Sequence, residues 1–187
     1  MTFARRLEKK DTRMKPNIGL NDETRAGVTK IVNARLADMH VLYTKTRNYH
    51  WNIVGPQFHS LHLLFEEQYE TLAKTIDETA ERIRALGGRS LGTMDEFIKT
   101  ATLKEEAPGR VPPSAEMVKN LLSDHEATIR QLREDIDTID DDCHDVGTAD
   151  FLTAILEGHE KMAWMLRAFV EGEAIKPDGT LPPENNA

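Results

Sequence analysis

A chain of 187 residues, 30% of them charged and 6% aromatic, can bury one sizeable core, and its net charge of −8 argues against a body coated for nucleic acid. Its single cysteine, Cys143, excludes an internal disulfide framework and fits a reducing cytoplasm. No apolar run approaches the roughly 18 residues of a membrane span, and the basic N-terminus lacks the apolar segment of a signal peptide. The expected location is cytoplasmic, with no membrane partner.

Residues 1–20 carry Arg5, Arg6, Lys9, Lys10, Arg13 and Lys15 against Glu8 and Asp11, a local charge of +4 that leaves −12 for the remainder. With few apolar residues and an interrupting Pro16, the segment reads as a flexible tail. Such an arm either touches DNA phosphates or is merely solvated, and the residues weigh equally for both.

A first helix is expected from Asn21 or Asp22, carried by Val28, Ile31, Val32, Leu36 and Met39 to about Tyr49. Gly55-Pro56 closes the connection to a second helix over 57–86. Phe58, Leu61, Phe65, Leu72, Ile76 and Ile83 form the apolar face of that helix, and Gly87-Gly88 ends it. Residues 89–113 form a long connection in which 93–98 can make a short helix. A third helix is expected with Ser114 as N-cap and a stripe of Met117, Leu121, Leu122, Ile129, Leu132, Ile136 and Ile139. After a dense acidic segment, Thr148 is read as the cap of a fourth helix carrying Phe151, Ile155, Met162, Leu166 and Phe169. Residues 173–187 read as a short polar tail. Four long amphipathic helices, with a long connection between the second and third, describe an all-α, ferritin-like four-helix bundle over 21–172.

The chemistry lies on the second helix. His62, Glu66, Asp77 and Glu81 share an arc beside its apolar face, as two i,i+4 pairs that can each converge on one ion. Fifteen residues separate His62 from Asp77, roughly 22 Å along a helix, so one metal ion cannot touch both pairs of one chain. An antiparallel two-fold partner helix would bring His62 and Glu66 of one copy beside Asp77 and Glu81 of the other, and would build two such sites at once. Taken singly, each residue also has an ordinary reading as a packing or solvated side chain. A di-iron site within one bundle requires Glu-x-x-His on two helices, and the chain contains no such motif. His125, His144 and His159 are scattered and read as structural or surface residues.

The run Asn48-Tyr49-His50-Trp51-Asn52 with Lys45, Arg47 and Gly55, then Phe58-x-x-Leu61-His62, Phe65-Glu66 and Tyr69, resembles the Dps proteins, the mini-ferritins. The likeness continues through Asp77-Glu78-x-Ala80-Glu81-Arg82-Ile83 and Leu86-Gly87-Gly88, and spans about residues 20–172. Separations of 12, 15 and 4 residues between the two His, the Asp and the Glu reproduce the family's ferroxidase spacing. The resemblance implies a hollow homododecamer with ferroxidase sites, of two iron ions each, at its two-fold interfaces. His50 and His62 would come from one subunit, and Asp77 and Glu81 from its neighbour. Glu66 stands where the family usually has Asp. The resemblance further implies oxidation of Fe(II) by hydrogen peroxide or dioxygen, storage of a ferric mineral and protection of DNA. Trp51 would quench stray radicals or simply pack the interface. Asp145, Asp150, Glu157 and Glu160 would line three-fold pores that admit iron, or serve as solvated and capping acids. If the tail binds DNA, the protein would sit on the nucleoid.

Overall fold

The computed structural model describes residues 14–171. It contains helices α1 (Asp22–Asn52), α2 (Phe58–Ala85), α3 (Met94–Thr100), α4 (Ser114–Asp137) and α5 (Val146–Val170), with a π-helical turn at Thr138–Asp142. Among the described residues there is no strand. The all-α bundle with a short extra helix in its long connection is therefore as expected. The tails beyond residues 14 and 171, including Arg5, Arg6, Lys9, Lys10 and Arg13, lie outside the described residues.

Local chemistry explains most helix ends. Asn21 caps α1 by accepting from the Thr24 amide at 2.8 Å. The hydroxyl of Thr93 accepts from the Glu96 amide, while the Glu96 carboxylate accepts from the Thr93 hydroxyl and the Gly92 amide. At the end of α2 the amides of Gly87 and Gly88 donate to the carbonyls of Arg84 and Ile83, with Gly87 at φ +82°. Gly88 is required by α1 as well, since a Cβ there would meet the Thr29 side chain at 2.5 Å.

Two expected caps are corrected. Ser114 is the first residue of α4, and Pro113 stands at the cap position without a side-chain bond. Asp145, not Thr148, caps α5: its carboxylate accepts from the Thr148 amide at 3.1 Å. Aspartate at that position accepts both the amide and the hydroxyl of Thr148, which a threonine cap could not do for itself. In addition, α1 runs on to Asn52 rather than ending near Tyr49, so His50 and Trp51 belong to its last turn.

Adjacent helices run antiparallel. Along α1 and α4, Arg35 reaches Asp135, Lys45 reaches Asp124 and Tyr49 reaches Asn120. Along α2 and α5, Gln68 reaches Met162 and Arg82 reaches Thr148. The core divides into two lobes. Val28, Val32, Leu36, Ile83, Leu132 and Leu152 fill one, and Leu42, Leu61, Phe65, Leu72, Leu121 and Leu166 the other. Burial of such side chains stabilises by about 1.5–3 kcal/mol each. Phe58 and Phe169, expected in the stripes, are 45% and 40% exposed. Each lies within a residue of its helix's end, beyond the reach of the facing helices.

The long connection lies along α1, clipped by side chains at rising positions. Asn33 bonds the Arg89 carbonyl and the Leu91 amide, His40 stacks on Phe97 with centroids 3.7 Å apart, and Asp38 accepts from the amides of Thr102 and Leu103. Tyr49 donates to Glu106 at 2.6 Å, and burial, followed by this bond, drives the Tyr49 phenol well above its ordinary pKa. No helix of the described residues is long and apolar enough to cross a membrane.

Candidate metal centre

The last turn of α1 and the first turns of α2 meet across a short loop, and this places His50 against His62. Their rings stack with centroids 3.8 Å apart and planes at 19°. Nδ1 of His50 lies 2.8 Å from the carbonyl oxygen of His62, and Nδ1 of His62 lies 2.9 Å from that of His50. A carbonyl can only accept, so both Nδ1 atoms carry the proton and donate. Both Nε2 atoms therefore keep their lone pairs. This is the tautomer an imidazole needs to bind a metal through Nε2, and it is set by main chain rather than by a carboxylate.

Around the pair, Phe58 stacks on His62 at 5.0 Å and Tyr69 meets His50 edge-on at 5.2 Å. One turn along α2, Glu66 accepts a long hydrogen bond of 3.4 Å from Tyr69. The Arg47 guanidinium lies 4.8 Å from the Trp51 ring and 5.4 Å from those of Tyr43 and Tyr69, and it donates to the Tyr43 hydroxyl at 2.7 Å. Burial, followed by the charges of Glu66 and Glu70, raises the Tyr69 phenol. Sequence reading gave Arg47 and Tyr43 no role here, although the i,i+4 series Tyr43, Arg47, Trp51 was visible.

Asp77 and Glu81 sit far along α2, exposed to solvent. Among the described residues of one chain, no three His, Cys, Asp or Glu side chains gather as a metal-holding group. The chain itself thus unites His50 with His62 and brings Glu66 near, but does not join them to Asp77 or Glu81. Trp51 is 64% exposed, and Val54, Phe58 and Leu63 also present apolar surface near this end of α2.

The acidic residues expected at a pore divide into three groups. Asp145 is 6% exposed and is engaged with the Thr148 amide and hydroxyl and with Arg82, so its work is to cap α5 and tie it to α2. Glu160 pairs with Arg133 across α4 and α5. Asp150 and Glu157, seven residues apart on α5, are exposed. Lys15, the one described basic residue of the N-terminal segment assigned to DNA, is paired with Asp22.

Residues 29–174 match the model of the ferritin-like domain family. The chain is 55% identical over 166 residues to a low temperature-induced protein of Nostoc sp., covering 89% of this chain and 92% of that one. It is 41% identical over 143 residues to DNA protection during starvation protein 2 of Bacillus anthracis, covering 76% and 96%. The chain belongs to the Dps family of ferritin-like proteins. The Dps fold extends to the solved Dps protein from Vibrio cholerae O1, described as a member of a broad superfamily of ferritin-like diiron-carboxylate proteins. That likeness has a TM-score of 0.79 at 30% identity, over 87% of this chain and all of that one.

Proposed function

We propose that this Dps protein is a ferroxidase and iron store that protects DNA by removing Fe(II) and peroxide together. The observation that carries the reading is the reciprocal His50–His62 pair, fixed with both Nε2 lone pairs free. Neutral imidazoles with carboxylates suit iron or manganese better than a structural zinc site. Since His62 and Asp77 stand roughly 22 Å apart on one helix, the site needs a second copy. In a two-fold pair, His50, His62 and Glu66 of one subunit face Asp77 and Glu81 of the other, and each of the two sites so formed holds two Fe(II) ions as substrate. The dodecameric assembly of mini-ferritins supplies six such interfaces and a cavity for the mineral. The exposed apolar residues near the pair are the surface this contact would cover.

Two Fe(II) ions give one electron each to hydrogen peroxide, which is reduced to water; hydrolysis of the ferric ions as FeOOH releases four protons overall. Pairing the electrons avoids the hydroxyl radical that a single Fe(II) would generate. The half-buried carboxylate of Glu66 and the exposed ones of Asp77 and Glu81 offset the ions' charge, and the His pair orients them. Trp51, held against Arg47, is placed to donate an electron to any radical that escapes. Asp150, Glu157 and Glu160 are the acids proposed to admit iron, with Asp145 retained there only as the helix cap.

Full-length His50→Ala and Asp77→Ala are expected to assemble normally yet oxidise Fe(II) with peroxide at least ~10-fold more slowly, as for loss of a metal ligand. Ferric absorbance after mixing reads the rate, and wild-type kinetics in both variants would sink the site. DNA binding is a separate proposal resting on the +4 charge of residues 1–20. It predicts a gel shift that weakens steeply with salt and is lost when residues 1–15 are removed. A shift unchanged by that removal would refute it.

A further inference from the structure

Helices α4 and α5 leave between them a groove open to solvent, with a volume of about 380 Å³. Glu126, Arg130, Glu160 and Arg167 line its sides, and Ile129 and Ala163 its floor. Glu126 pairs with Arg167 at 2.7 Å, and Glu160 pairs with Arg133. Arg130 is exposed and has no ion-pair partner among the described residues. Beside the groove stands Trp164, 62% exposed, where a tryptophan is ordinarily well covered. It follows Ala163 directly, so its ring leaves α5 roughly 100° around the helix from the groove floor. Asp150 and Glu157 lie on the same exposed stripe, at intervals of seven residues.

The dodecamer needs a contact of this kind. A two-fold contact is closed on itself, so the interface that joins His50 and His62 to Asp77 and Glu81 makes dimers and nothing larger. Joining dimers into a cage takes a heterologous contact, in which a knob on one copy enters a hole on the next and rotation closes the ring. The two-fold contact draws on α1 and α2, where Trp51, Val54, Phe58 and Leu63 present apolar surface. On α4 and α5 a knob and a hole lie side by side and face different ways, which suits a ring rather than a second two-fold pair.

We propose that Trp164 of one copy seats in the α4–α5 groove of the next, and that this contact, repeated around a three-fold axis, joins dimers into the cage. It rests on the dodecameric reading above, whose two-fold interface it complements. The indole lies on Ile129 and Ala163 and takes the unpaired Arg130 guanidinium as a cation–π partner. Tryptophan and arginine are the side chains that most often anchor interfaces, and burying an indole removes roughly 150–250 Å² from water. The opposed charges of Glu126 with Arg167 and Glu160 with Arg133 give the groove a polar rim without net repulsion. Because Asp150 and Glu157 share the stripe of Trp164, the same contact turns those acids toward the axis, where a pore would use them.

Analytical ultracentrifugation of wild type and full-length Trp164→Glu tests the contact. The variant is expected to sediment as dimers with an unchanged helical circular dichroism spectrum. Such dimers keep the two-fold sites, so they should oxidise Fe(II) with peroxide at the wild-type rate per chain but let the ferric product precipitate. A variant that stays dodecameric overturns the inference and leaves the ferroxidase reading standing. Wild type that is itself dimeric overturns the cage and this contact with it. Loss of oxidation in variant dimers would count against the two-fold site and not against this surface. Fluorescence gives a second measurement without a disruptive change, since Trp164 is the sole indole left in Trp51→Phe. In the assembled protein its emission is expected to be blue-shifted and several-fold less quenched by acrylamide than that of free tryptophan. Red, freely quenched emission means a groove left open to solvent or to another partner, and overturns the proposal.

Discussion

Replacing Asp38 tests how the long connection is fastened. Its carboxylate is 1% exposed and accepts from the Thr102 amide at 2.6 Å, the Leu103 amide at 3.0 Å and the Thr102 hydroxyl at 3.1 Å. It also pairs with Arg35 at 3.3 Å. Asp38→Ala leaves two amides without acceptors. Because Thr102 is near solvent, we assign each about 1 kcal/mol, the low end for a stranded group. Arg35 keeps Asp135 as a partner, so losing one of two carboxylates adds about 1 kcal/mol more. The total of about 3 kcal/mol corresponds to a fall of roughly 6–12 °C in Tm for a chain of this length. Asp38→Asn keeps one oxygen for the amides and turns an amide toward Arg35, so about half that loss is expected. Thermal unfolding followed by circular dichroism at matched protein concentration measures both. An Asp38→Ala variant melting within ~2 °C of wild type would refute the reasoning, as would an Asp38→Asn variant equally damaged.

Other outcomes follow from the same buried polar groups. Burial lifts the Asp135 carboxyl to about 6 from an ordinary 3.8, even with Arg35 beside it. The folded chain then holds this proton more tightly than the unfolded one, so the stability it contributes is fully present below pH 3.8 and is lost as pH rises through 6. The stability advantage of Asp135→Asn over wild type should accordingly grow from pH 4 to 6 and level off; a constant difference across that window in urea titrations would contradict it. Tyr49→Phe removes the donor to Glu106 and the acceptor for Asn120. A loss of about 1–2 kcal/mol in urea unfolding is expected, because Glu106 retains Arg110 and the Ala107 amide. Removing the cation in Arg47→Leu should alter Trp51 fluorescence and raise protein-radical yield under Fe(II) and peroxide; an emission spectrum identical to wild type would argue against that contact.

Periodicity made the four long helices and the short α3 legible, because each helix buries one continuous stripe and most ends carry their own capping residues. The bounds of α2 differ from expectation by one residue at each end. What sequence did not reveal is chiefly the polar interior. Asp38 with Thr102, Lys45 with Asp124 and His125 with His159 pair across 34 to 79 positions of chain. No local pattern marks them, since a polar residue in an apolar stripe looks the same whether it finds a partner or not. The cap of α5 was misplaced for a related reason. Asp145 and Thr148 are both good capping types, and only the turn after Thr138–Asp142 decides which of them accepts. At the candidate metal centre the residue types and the need for a second chain were readable from spacing. The tautomer of the two histidines was not, because it depends on which carbonyl each Nδ1 meets.

The two bonds between His50 and His62 join residues on either side of the α1–α2 loop, so each ring latches the hairpin as well as being held by it. Losing either imidazole removes a side-chain donor from a carbonyl of the opposite helix. A variant made to silence oxidation would therefore also loosen Val54 to Gln57, and amide hydrogen exchange there should quicken before any change reaches the distal end of α2. Redox competence and the closing of the first helical hairpin are thus inherited together.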